Sequence, residues 1–138
     1  MSQVDINLIA VLVAAVVNMV VGSIWYSQGV FGKTWMSLIG KNEKDFKEMK
    51  KKANTAYALS FIGALVMSYA LAHFIYWTQA TNFVEGMRTG FLLWVGFVAT
   101  VSFNNHLFTQ KPVKLCLIDS GYYLASLICM SVVLAVWS

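Results

Sequence analysis

The sequence is poor in charge. Of its 138 residues only 12% are Asp, Glu, Lys or Arg, against about a quarter in an ordinary soluble domain, while 59% are hydrophobic. Too few charges remain to clothe a water-exposed surface. A single proline, with no Ser-rich or Gly-rich tract, leaves no interdomain linker, so residues 1–138 read as one domain. The two cysteines, Cys116 and Cys129, lie in the same apolar run, roughly 20 Å apart along a helix, too far to bridge within it. With no CxxC and no Cys/His ligand set, they read as small packing residues, and neither a metal nor a cofactor is expected. Also missing are GxSxG, HExxH, a phosphate-binding glycine loop and a paired acidic motif.

What is present is a set of long apolar runs. A helix needs about 20 mostly apolar residues to cross hydrocarbon, and four stretches qualify: Asn7 to Tyr26, Ala53 to Trp77, Val84 to Phe108 and Val113 to Trp137. The expected fold is therefore all-α, an integral membrane bundle of four transmembrane helices. Met1 to Asn7 carries Asp5 and no Lys or Arg, so the first run is expected to persist as a span rather than be cleaved as a signal. Lys33, Lys41, Lys44, Lys47, Lys50, Lys51 and Lys52 fall between spans one and two, and Lys111 and Lys114 flank the last connection. By the positive-inside rule these connections face the cytoplasm, and both termini are non-cytoplasmic.

Between spans one and two, Phe31, Trp35, Leu38 and Ile39 recur at helical spacing in a segment too polar to cross. A short interfacial helix is expected there, followed by a helix capped by Asn42 with Asp45 three residues on. The run Lys41, Lys44, Lys47, Lys50, Lys51 and Lys52 is a topology determinant and, alternatively, a contact for anionic lipid headgroups. It accounts for the net charge of +4 without nucleic acid as a partner.

Helices in lipid pair through small and polar residues. The inward faces are accordingly expected at Ala14, Asn18 and Gly22; at Ser60, Gly63, Met67 and Ala70; at Gly86, Thr89, Leu93, Gly96, Thr100 and Asn104; and at Leu115, Asp119, Tyr122, Ser126 and Cys129. Gly86 and Gly90 also match GxxxG, a weak signal for a dimer seam.

Asp119 is the residue that most needs a partner. An aspartate inside a span costs on the order of 3 kcal/mol on insertion scales. Asn104, Asn105 and His106 fall at a similar depth on span three, Tyr122 and Tyr123 lie one turn along, and Asn18 is within reach from span one. Together they form an expected inner polar layer. Asp119 is then either a protonatable site, with His106 as its companion, or an acceptor that clamps spans three and four. An outer polar cluster of His73, Tyr76, Glu85 and Arg88 is expected near the other face.

The string GSIWYSQGVFGKTWM at Gly22 to Met36, then LAHFIYW at Leu71 to Trp77, GFLLWVGFVAT at Gly90 to Thr100 and KPVKLCLIDSGYYL at Lys111 to Leu124, resembles a family of small bacterial four-helix membrane proteins catalogued as domain of unknown function 1761. The resemblance runs over nearly the whole chain. Its most specific parts are WYS followed by FGKxW and the LxxxGY of Leu117, Gly121 and Tyr122, with Gln28 where that pattern leads one to expect proline. It implies architecture and a bacterial inner membrane, and no activity. It also implies that Trp25 and Tyr26 share a layer with Asp119.

Three functions fit this sequence. One is an oligomeric protein, a homo-oligomer, that binds or passes a small solute, ion or lipid at Asp119. Another is a non-catalytic accessory or scaffold subunit, and the third is a membrane enzyme acting on a lipophilic substrate, placed last for want of a catalytic set.

Overall fold

A computed structural model describes residues 6–27, 29–38, 48 and 53–137. The described residues form helices α1 (Leu8–Trp25), α2 (Gly32–Leu38), α3 (Ala53–Trp77), α4 (Phe83–Leu93), α5 (Thr100–Thr109) and α6 (Val113–Trp137). Between α4 and α5 the helix continues without a break as a π-helical stretch, Trp94–Ala99. α1, α3, the continuous α4–π–α5 helix and α6 are each long and apolar enough to cross a membrane. The expected four-span architecture is thus present, and α2 is the short helix expected between the first two spans. The lysine run from Lys41 to Lys52 and the Asn42 cap lie outside the described residues.

Local chemistry sets the helix ends. The Asn7 side chain accepts from the amides of Ile9 and Ala10 at 3.0 and 3.2 Å, which satisfies two orphan donors of α1. Asn82 and Glu85 form a reciprocal cap on α4: the Glu85 amide donates to Asn82 at 2.9 Å, and the Asn82 amide group donates back to the Glu85 carboxylate at 3.1 Å. At the other end α5 stops at Gln110, whose left-handed φ of 55° lets its amide donate to the His106 carbonyl.

α6 is the central helix. It packs most extensively on α4 and α1, while α3 lies mainly on α1. The core combines Ala10, Val11 and Ala14 of α1 with Leu71, Ala72 and Ile75 of α3 and Leu127, Met130, Leu134 and Ala135 of α6. Small side chains let these backbones approach, and van der Waals contact then does the holding. The Ser68 hydroxyl donates to the Val11 carbonyl at 2.7 Å and pins α3 to α1. The two ends of the bundle are called here the terminal end, with Asn7, the 78–82 loop and Trp137, and the lysine end, with α2, Lys111 and Lys114.

The inward faces follow expectation on α1, where Ala14 and Asn18 are buried and Gly22 meets the Tyr122 ring. On α3 they do not. Ser60, Gly63 and Ala70 are exposed, and the inward positions are Ala64, Ser68, Leu71, Ala72 and Ile75. The third span is split. Gly86 and Thr89 are buried as expected, but Gly96, Thr100 and Asn104 are exposed, and Val98, Ala99, Ser102 and His106 are half-buried. A four-residue step overshoots one α-helical turn by about 40°. The wider π turn absorbs that overshoot, which keeps Gly90, Trp94, Val98, Ser102 and His106 on the α6 side. Cys129 of α6 is exposed, and Met130 and Ser131 take its expected place in the core.

Gly86 and Gly90 serve the inside of the bundle rather than a dimer seam. A Cβ at Gly86 would stand 2.9 Å from the Val132 Cα, and one at Gly90 2.8 Å from the Leu127 carbonyl oxygen. The GxxxG pair is where α4 and α6 touch backbone to backbone.

Candidate functional site

At the lysine end the chain turns back on itself directly after α1. The Phe31 amide donates to the Trp25 carbonyl at 3.2 Å and the Gly32 amide to the Ser27 carbonyl at 2.8 Å, so α2 begins against the last turn of α1. Glycine is required at position 32, because a Cβ there would lie 2.5 Å from the Tyr26 carbonyl oxygen and 2.8 Å from that of Ser27. The turn stacks Phe31 on Trp25, with ring centroids 4.8 Å apart, and sets Trp35 edge-on to Tyr26 at 5.6 Å. Every residue of the WYS and FGKxW strings except Lys33 is therefore partly or wholly buried in one knot.

This knot grips α6 around Asp119. The Trp25 indole donates to the Ile118 carbonyl at 3.0 Å, and the Tyr26 hydroxyl donates to Asp119 Oδ1 at 2.6 Å. From the opposite side the Trp94 indole donates to the Ser120 carbonyl at 2.8 Å. Two indoles thus hold the α6 backbone on either side of the carboxylate. Gly121 permits the approach: a Cβ there would meet the Trp25 ring at 3.0 Å.

One turn toward the middle of the bundle, Asn18 Oδ1 accepts from the Tyr122 hydroxyl at 3.0 Å and from the Ser126 hydroxyl. Tyr122 lies edge-on to Tyr26, with centroids 5.4 Å apart. Asn18, Tyr122, Tyr26 and Asp119 form a continuous polar and aromatic ladder between α1 and α6. Such short charge-assisted bonds as that from Tyr26 are among the stronger ones available to a carboxylate.

A cavity of about 470 Å³ opens against this ladder. Asp119, Tyr26 and Trp35 form one wall; His106 and Asn105 of α5 form the other; and Lys111 stands at the lysine end. His106 Nδ1 is buried and has no hydrogen-bond partner. A buried ring nitrogen left unpaired in this way is uncommon, and a ligand is one of the explanations for it.

Of the residues read as an inner layer, Asp119, Asn105, His106, Tyr122 and Tyr26 line this cavity. Asn18 reaches it through Tyr122, and Trp25 supports it from behind. Asn104 does not reach it: its side chain is exposed on the far face of α5. Trp35, Ser102 and Cys116, which are not part of that expected layer, also line it. Of these only Trp35 carried a sequence signal, through FGKxW.

The outer residues do not form one cluster. His73 Nδ1 pairs with the Tyr69 carbonyl at 2.9 Å, and its ring lies between Tyr69 and Trp77. Glu85 is held by the loop, accepting from the Thr81 amide at 3.0 Å and from Asn82. Tyr76 faces one cavity, on the α1 side of α3, while Arg88 and Glu85 face another, between α3 and α4.

A family model described as a protein of unknown function, DUF1761, matches residues 9–135. No curated protein and no solved structure matches the chain. The matched stretch takes in the whole of the knot, the ladder and the cavity.

Proposed function

The chain belongs to the DUF1761 family, and on that premise we propose that it binds a small polar solute or ion in the cavity beside Asp119. The protein works as a homo-oligomer in the bacterial inner membrane, with its lysine end in the cytoplasm, as the distribution of Lys33, Lys111 and Lys114 favours. The observation that carries this reading is a cavity that brings an intramembrane carboxylate opposite a buried histidine nitrogen without a partner.

The chemistry of the walls favours a ligand with a hydrogen-bond donor or positive charge at one end. A carboxylate offers about four acceptor positions, and Tyr26 occupies one of them. The rings of Tyr26, Trp35, Tyr122 and Tyr123 surround the same space, and aromatic faces attract cations. Lys111 at the mouth suits an anionic tail on the same ligand. An ionisable residue inside a span is by default a functional group, and here Asp119 is the protonatable centre. The exposed polar residues Ser60, Thr100 and Asn104 favour a second protomer against α3 or α5, since such groups gain little from acyl chains.

A second reading rests on the Tyr26 bond, which ties the end of α1 to α6. In it Asp119 is a clamp and the chain is an accessory subunit. Full-length protein reconstituted in vesicles loaded with a pH-sensitive dye separates the two. A functional carboxylate predicts proton movement that Asp119→Asn abolishes while helicity and oligomeric mass are retained. Proton movement unchanged in a folded Asp119→Asn protein rules out the proton role. No movement in either protein, with reduced thermal stability in the variant, selects the clamp.

A further inference from the structure

α3 and α4 are joined by a five-residue loop, Thr78–Asn82, and helices joined so closely are normally packing neighbours. Here they are not: α4 lies on α6 and α3 on α1, with little contact between α3 and α4. The two helices diverge from the loop and leave a wedge of about 730 Å³ between them.

The wedge has a polar mouth and an apolar body. Arg88, Glu85 and Thr78 stand at the mouth, and Phe74, Leu92 and Phe97 line the body down to Gly96. Arg88 is the chain's single arginine. Glu85, the acidic group beside it, turns its oxygens to the Thr81 amide and Asn82, and among the described residues it makes no ion pair with Arg88. From Glu85 to Phe97 the helix advances about 18 Å, close to the hydrocarbon depth of one leaflet, about 15 Å. Gly96 closes the wedge with open space, since a Cβ added there meets nothing within 4 Å.

We propose that this wedge is a binding site for one phospholipid with an anionic headgroup, its phosphate at Arg88 and one acyl chain lying along α4 to Gly96. The match of groove length to a single leaflet selects a lipid over a soluble anion, and the fixed positive charge at the mouth selects an anionic headgroup over a zwitterionic one. The site is at the terminal end, opposite the Asp119 cavity, and stands whether or not that cavity binds a solute.

Native mass spectrometry of the full chain in detergent, titrated with phosphatidylglycerol or phosphatidylcholine of equal chain length, tests this. Retention of one phosphatidylglycerol is expected, with at least about fivefold preference over phosphatidylcholine. Arg88→Gln removes the preference, and Arg88→Lys retains most of it. Gly96→Leu, which the fold has room for, fills the wedge and lowers retention of both lipids. Equal retention of the two lipids by the wild type, or unchanged preference in Arg88→Gln, overturns the proposal. So does inorganic phosphate at millimolar concentration displacing the lipid, which would mark a simple anion site. A lipid-free dimer that Gly96→Leu breaks would instead assign the face to a second copy.

Discussion

The two ends of the bundle are held together by different means. At the terminal end α4 and α6 meet backbone to backbone across Gly86 and Gly90, and no side chain separates them. At the lysine end α5 makes much less contact with α6, and the link between spans passes through Trp25, Tyr26, Trp94 and Tyr122. Close packing leaves no room for a ligand between α4 and α6, whereas long aromatic side chains reaching for carbonyls and a carboxylate leave space beside α5. The cavity is a consequence of that second way of joining helices.

The sharpest way to break this comparison is to put a side chain into the seam. Gly90→Val should destabilise the protein by on the order of 3 kcal/mol, because the Leu127 carbonyl and the Ile128 Cα cannot retreat from the new Cβ. Reversible unfolding in mixed micelles would measure it, and an unchanged midpoint would deny that the seam holds the terminal end. Gly32→Ala should cost about 2 kcal/mol by forcing α2 off the end of α1. The separation of Trp35 from Tyr26 would appear as a shift in tryptophan emission. Tyr26→Phe, which removes one bond at the lysine end, should cost about 1 kcal/mol, since hydrogen bonds between membrane helices average ~0.6 with a maximum near 1.7. A double-mutant cycle with Asp119→Asn should return a coupling of at least about 0.5 kcal/mol; strict additivity would mean that the two side chains do not interact. Smallest of all, Gly63→Ala on the open face of α3 should change stability by no more than about 0.5 kcal/mol in a protomer. A larger loss accompanied by a lower oligomeric mass would place a second copy against that face.

The number and limits of the spans were legible because apolar length is a local property, and the structure departs from the expected ends by about a residue. Facing is not local. Ser60, Gly63 and Ala70 form as regular a stripe as Ala64, Ser68 and Leu71, and only the position of α1 decides between them. Likewise, Asp119 plainly needed a donor, but its partner Tyr26 is 93 residues away in the chain, and nothing in the spacing of α6 points to it. The family resemblance supplied that link, because the strings that carry it put Trp25, Tyr26 and Asp119 at the same end of the spans. The wedge beside Arg88 had no sequence signal beyond the arginine itself, since it arises from two neighbouring helices leaning on different partners.

The π-helical stretch Trp94–Ala99 gives the third span two possible threads for one sequence. Wound at uniform α-helical pitch beyond Leu93, the same amino acids would present Gly96, Thr100 and Asn104 to α6, each surplus residue being worth about 100° of rotation. Wound as it is, the helix presents Val98, Ser102 and His106 instead. Whether His106 or Asn104 turns toward Asp119 is therefore decided by the winding of a turn about two helical turns away.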